Sequence, residues 1–451
     1  MAAAPLGWLG IVRLGLVQTA LGAVVVLMTS TLNRIMVVEL ALAAMVPGAL
    51  VTLHYAIQFL RPRLGYGSDM SGQITPWILG GMTVLAAGGL AAAAATAWMH
   101  TSPAAGVILA VVAFAAIGLG VGASGTSLLV LLAKRVEPRR RAAAATIVWL
   151  MMIVGFIVTA AVAGQLLDPY SPGRLIAVSA GVCATALVVS TLAVWGVERG
   201  AGAAPDEPRG AKAPFREALA EVWAETPARR FTIFVFVSML AYSAQDLILE
   251  PFAGLVFAMT PGQSTQLSSV QHSGVLLGMI VVAIAGSAWG RGRLGSLRFW
   301  TVAGCLGSAL MLALLTLAGI IGPGWPLRPT VFAMGVANGA FAVAAIGSMM
   351  GLAGAGKARR EGIRMGLFGA AQAIAFAAGG FAGTAAVDLA RAVLGSPATA
   401  YASVFAIQAG LYVVSALLAA RVDAAPVSVA RAAPTVDADR FVPRSVARGG
   451  A

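Results

Sequence analysis

The sequence predicts an all-α membrane protein of about twelve transmembrane helices, arranged as two related six-helix halves. Three observations carry that prediction. Only 10% of the 451 residues are charged and 59% are hydrophobic, whereas a soluble domain carries about 25% charged residues. Apolar runs of about 20 residues, long enough to cross a hydrocarbon core of about 30 Å, recur along the chain. An internal offset of about 223 residues relates its first part to its second.

The apolar runs fall at about 11–32, 40–60, 77–99, 104–132, 143–166 and 174–197, then at about 231–257, 269–290, 297–321, 328–354, 366–389 and 399–420. The first is expected to remain as a helix, because no small-residue cleavage site follows a short apolar core. The organisation expected is an N-terminal half (1–197), a cytoplasmic linker (198–230), a C-terminal half (231–421) and a disordered cytoplasmic tail (422–451) rich in Ala, Pro, Val and Arg. Within the linker, Pro214 suits the start of a short helix. Phe215, Leu219, Val222 and Trp223 would share one face of it, at the membrane interface.

A net charge of +13 raises the question of nucleic acid, and its placement answers against that partner. With the N-terminus inside, only Arg34, Arg174, Arg328 and Arg391 of the 30 Lys and Arg residues fall on the outer side. This asymmetry predicts a multi-pass protein with both termini cytoplasmic. The basic inner loops suit anionic headgroups of the lipid bilayer. Trp77, Trp98, Trp195, Trp289 and Trp300 fall at span ends, the level preferred by amphipathic rings. Cys183 and Cys305 lie inside apolar runs and read as small buried residues.

The offset maps Gly67 onto Gly290, Gly72 onto Gly295, Trp77 onto Trp300, Gly81 onto Gly304, Lys134 onto Lys357 and Arg141 onto Arg364. Such a parallel six-plus-six repeat resembles the major facilitator transporters, whose halves enclose a midplane site. Between the second and third runs, Gly65, Gly67, Asp69 and Gly72 resemble the gating loop of that superfamily. Met70 and Gln73 replace its usual basic residues, and the second copy has Gly292 in place of Asp69. The fourth run contains no Arg and the fifth no Gly-Pro pair, features that would accompany proton-driven export.

Polar groups inside apolar runs need a reason to be there. In the seventh run Gln245, Asp246 and Glu250 precede Pro251. An ionised carboxylate deep in a span costs about 2.5–3.5 kcal/mol. Asp246 and Glu250 are four residues apart and share a helix face, while Pro251 is expected to end or kink the helix. A cavity-facing cargo site or switch and a structural network between helices both fit this pattern. At the outer end of the first run, Arg34 and Glu39 suit an interfacial cap, pairing with each other or with Glu250. His54 lies inside the second run, where it suits helix packing or, through a neutral imidazole, the magnesium of a chlorin. His100 and His272 fall in or beside outer loops and are expected to be solvated. No phosphate loop, metal-ligand cluster or nucleophile–base pair is present, so no enzymatic chemistry and no required cofactor are predicted.

The stretches around Gly10–Leu16, Ser30–Leu40 and Arg61–Asp69, and Tyr242–Gly254 with its Gln-Asp-Leu-Ile-Leu-Glu-Pro core, resemble the PucC family. This is the bacteriochlorophyll-delivery branch of the major facilitator superfamily, and the likeness runs from about residue 8 to 421, excluding the central loop and the tail. It is nearest to the member linked to bacteriochlorophyll-synthesis genes. The resemblance implies a bacterial inner (intracytoplasmic) membrane protein that handles bacteriochlorophyll or a precursor, or chaperones antenna polypeptides, in light-harvesting complex assembly. It leaves open a structural partner of the bacteriochlorophyll synthase and a conventional small-solute transporter.

Overall fold

A computed structural model describes residues 6–61, 64, 73–137, 140–198, 215–287, 296–355 and 361–422. The N-terminal half contains α1 (Trp8–Glu39), α2 (Met45–Ile57), α3 (Thr75–Trp98), α4 (Pro103–Arg135), α5 (Arg141–Leu166) and α6 (Pro172–Val194). A short helix, α7 (Phe215–Ala224), precedes α8 (Thr226–Phe257), α9 (Pro261–Ser287), α10 (Leu297–Ile321), α11 (Leu327–Ala355), α12 (Glu361–Leu394) and α13 (Pro397–Ala420). Among the described residues, eleven helices are long and apolar enough to cross a membrane. The twelfth expected span is α2, a shorter apolar helix prolonged by a 3₁₀ turn at Gln58–Leu60.

The 223-residue offset is visible in the packing. In the first half α1 lies on α5 and α6, α3 on α4 and α6, and α2 on α4. In the second, α8 lies on α12 and α13, α10 on α11 and α13, and α9 on α11. The offset carries each pairing of the first set onto one of the second. Gly81 and Gly304 show why the match extends to single residues. A Cβ on Gly81 would sit 2.5 Å from the Ser124 amide nitrogen, and one on Gly304 would sit 2.6 Å from that of Phe341. Small residues let these backbones meet where apolar lipid offers no hydrophobic drive for association.

Most buried apolar side chains form two cores, one from residues 11–197 joined by Leu247, the other from 222–422. The halves meet through α2 against α12 and α9 against α5. The ends of α4, α6 and α13 lie on one side with the starts of α1 and α10. The Leu6 amide donates to the Arg135 carbonyl, Arg13 to the Leu192 carbonyl and Arg298 to the Ala420 carbonyl. We call this side proximal and the opposite side distal.

On the distal side two carboxylates cap helices of the opposite half. Asp388, on α12, accepts from the Ala44 and Met45 amides at the start of α2, at 2.9 and 2.8 Å. Asp168, just beyond α5, accepts from the Thr260 hydroxyl at 2.6 Å and from the Gly262 amide at 3.1 Å, at the start of α9. Both satisfy orphan amides at a helix N-terminus, where negative charge is favoured.

Several boundaries differ from the sequence reading. The first helix runs to Glu39 rather than 32, through π-helical turns at Leu27–Leu32 and Ile35–Glu39. The second starts at Met45 rather than 40, because the chain reverses through Ala41 at φ 51°. The eighth run starts at Pro261 rather than 269. Its first turns are polar and so read as a loop, yet Ser264, Thr265, Ser268, Gln271 and His272 are buried against other helices. Pro251 does not end α8, which continues to Phe257. Linker helix α7 forms, but Val222 is buried in the C-terminal core while Trp223 stays exposed, so the two do not share one interfacial face. Arg364, expected in a headgroup-binding loop, is buried in a two-bond ion pair with Glu225, at 3.0 and 2.7 Å. The tail from 423 onward lies outside the described residues.

Candidate functional site between the halves

Pro251 organises the distal end of the site. A proline has no amide hydrogen, so the carbonyl four residues earlier, that of Leu247, loses its helical donor. Asn33 Nδ2 of α1 supplies the missing bond at 2.6 Å. The neighbours of Asn33 complete a clamp. Ser30 donates to Glu250, and the Thr31 and Thr265 hydroxyls meet at 3.1 Å. Arg34 pairs with Glu39 and donates to the Met259 carbonyl at 2.6 Å, just past the left-handed Ala258 that closes α8. The π turns change the side-chain phase of α1, so residues 30, 31, 33 and 34 all reach α8, α9 or the turn between them.

Arg34 and Glu39 therefore do pair with each other, and Glu250 takes Ser30 instead. Arg34 is 2% exposed, so this is a sealed brace between the halves rather than a solvated interfacial cap. Glu250 is also buried, and its second oxygen has no hydrogen-bond partner.

Beneath this clamp lies a mixed polar and aromatic interior. Asp246 is partly exposed and accepts a long bond of 3.5 Å from Gln271. Tyr242 stands one helical turn before Asp246 on α8, and His272 follows Gln271 on α9. The rings of Tyr55 and Phe376 stand 5.2 Å apart across the half-to-half boundary, and Phe376 leads on to Tyr242 at 5.9 Å. Neither tyrosine hydroxyl has a hydrogen-bond partner among the described residues. Gln245 is fully buried on the face that Ala241, Ile248 and Phe252 press into the C-terminal core, and neither of its amide atoms is partnered.

His54 is buried, with both ring nitrogens enclosed. Its Nε2 is taken by Gln58 at 2.8 Å, and its Nδ1 is sealed without a partner. His100 is exposed, as expected. His272 is not solvated. It is 5% exposed and lies edge-on to Phe156 with ring centroids 4.8 Å apart. In the sequence His272 stands only three residues inside the eighth run, because the polar turns before it, with Ser264, Thr265 and Ser268, read as a loop. The usable signal was Pro261, well suited to the first turn of a helix. Gating-loop residues Gly65, Gly67, Asp69 and Gly72 lie outside the described residues. Among the described residues no group of three or more His, Cys, Asp or Glu is placed to hold a metal ion. Cys183 and Cys305 are buried, free and in separate halves.

A sequence profile described as PUCC protein matches residues 31–426. The chain belongs to the PUCC family. This PUCC-family chain is 54% identical over 422 residues to the Bacteriochlorophyll synthase 44.5 kDa chain of Rhodobacter capsulatus, covering 93% of this chain and 96% of the relative. Protein PucC of the same species is 29% identical over 395 residues, covering 81% and 80%. Among solved structures, the D-xylose–proton symporter superposes with a TM-score of 0.68 at 14% identity, covering 91% of this chain and 96% of that one. A point mutant of the nucleoside transporter NupG gives 0.65 at 16%, covering 91% and 98%. At such identities the likeness shows the fold alone, a multi-pass major facilitator arrangement.

The site separates two roles for Asp246. Asp246→Asn keeps a hydrogen-bonding group beside Gln271, so a purely structural Asp246 predicts near-normal protein amount and function for Asn and lower abundance for Asp246→Leu. A cargo or switch role predicts normal abundance but several-fold lower pigment or antenna assembly per molecule in Asp246→Asn. Glu250→Gln, which still accepts from Ser30, is expected to show a weaker defect. Quantitative blotting beside antenna absorbance decides between the roles, and wild-type function in Asp246→Asn removes Asp246 from the site.

Proposed function

We propose that this chain is a non-enzymatic membrane carrier or assembly factor that handles bacteriochlorophyll for light-harvesting complexes. The observation that carries this reading is a polar and aromatic interior between two major facilitator halves, in a chain so similar to a relative named for bacteriochlorophyll synthase. Asp246, Tyr55, Tyr242 and Phe376 suit a large, flat, mostly apolar cargo with a few polar handles. Aromatic faces stack on such a plane, and the phenol hydroxyls can donate to its carbonyls. The bacterial inner (intracytoplasmic) membrane is its proposed location, with both termini cytoplasmic because basic residues crowd the proximal side.

The relative's name favours a second reading, a structural partner of the membrane-bound synthase that stabilises the enzyme or takes its product. A small-solute transporter has only the fold in its support. Deleting the gene is expected to lower assembled antenna absorbance or bacteriochlorophyll content while antenna transcripts persist. Gentle-detergent purification is expected to bring pigment with the chain, whereas a stoichiometric complex with the synthase and no retained pigment favours the partner reading. Unchanged antenna spectra in a deletion strain lacking a homologue contradict the assembly role. A periplasmic reporter signal at Gly202 contradicts the orientation.

A further inference from the structure

We infer that His272 Nε2 is the axial ligand for the central magnesium of the cargo. The inference rests on the pigment-handling reading and adds to it the atom that recognises the metal. The magnesium of a chlorin is held by four ring nitrogens and has an open axial position, for which a neutral imidazole lone pair is a suitable donor.

Two histidines lie inside the bundle, and their hydrogen bonds separate them. His54 has no free nitrogen to offer, since Gln58 takes one and the other is sealed. In His272, Nδ1 lies 2.8 Å from the Ser268 carbonyl. A carbonyl only accepts, so Nδ1 carries the hydrogen and Nε2 carries the lone pair. A metal-binding imidazole is commonly held in this way, its second nitrogen tied to a backbone carbonyl that sets tautomer and ring orientation. Nε2 has no hydrogen-bond partner among the described residues and is not one of the sealed polar atoms.

The surroundings suit the same ligand. Phe156 of α5 meets the imidazole edge-on and restricts its rotation. Tyr242 precedes Asp246 by one helical turn on α8, and Gln271, the chain neighbour of His272, donates to Asp246 at 3.5 Å. The imidazole donor, the unpartnered hydroxyls and the aromatic Tyr55–Phe376–Tyr242 run are the groups this reading offers to the cargo. They are drawn from α2, α8, α9 and α12, the helices along the boundary between the halves.

The test is pigment binding by the purified full-length chain in lipid nanodiscs, with bacteriochlorophyll and its magnesium-free derivative titrated in parallel. Wild type is expected to bind the magnesium pigment about tenfold or more tightly than the metal-free one. His272→Leu is expected to bring the two affinities together, and His54→Leu to keep the preference. Equal wild-type affinities overturn the ligand assignment while leaving pigment handling intact, as does a preference that survives in His272→Leu. Binding of neither pigment by wild type overturns the pigment-handling reading and this inference with it.

Discussion

The arrangement between the halves depends on one backbone carbonyl. Pro251 leaves the Leu247 oxygen without its helical donor, and in a bilayer an unmet carbonyl costs several kcal/mol because no water can serve it. Asn33 meets that need from the other half of the molecule. The bond ties α1 to α8 at a fixed height. Around it, Ser30 reaches Glu250, Thr31 reaches Thr265 and Arg34 reaches the Met259 carbonyl. A residue that usually disrupts helices thus supplies an acceptor joining the two halves.

Asp388 and Asp168 close the same distal side at its flanks, each capping a helix that belongs to the other half. The α2–α12 and α5–α9 boundaries they join are exchanged by the internal offset, so the closure has the symmetry of the fold. Below it the carboxylate of Asp246 stays partly exposed with one long hydrogen bond. The clamp crosses between the halves through side-chain bonds of Ser30, Thr31, Asn33 and Arg34, whereas the Tyr55 and Tyr242 hydroxyls of the interior have no hydrogen-bond partner among the described residues.

Much of the fold was legible in the sequence because lipid imposes a simple rule: long apolar runs must be helices. The offset that joins Gly81 to Gly304 and Trp77 to Trp300 carried the two halves. Hydropathy failed where a helix faces protein instead of lipid. The polar start of α9, with Ser264, Thr265 and Ser268, reads as a loop, which sets His272 at the edge of the run and beside solvent. The Asn33 and Pro251 stretches both stood out, yet nothing along the chain said that one completes the other. Their bond joins residues far apart in sequence and depends on the phase shift of the π turns in α1. Nor does the sequence show that Gln58, one helical turn on from His54, takes up the imidazole's Nε2.

The most direct test of this account is a double-mutant cycle on Asn33 and Pro251, read as resistance of the purified protein to unfolding in detergent. Asn33→Ala leaves the Leu247 carbonyl buried and unmet and is expected to cost about 1–3 kcal/mol. Pro251→Ala restores the amide four residues along the helix, so Asn33→Ala combined with Pro251→Ala is expected to recover most of that loss. The two changes would then be strongly coupled. Losses that simply add, with no recovery in the double variant, would contradict the claim that Asn33 supplies the donor that Pro251 takes away.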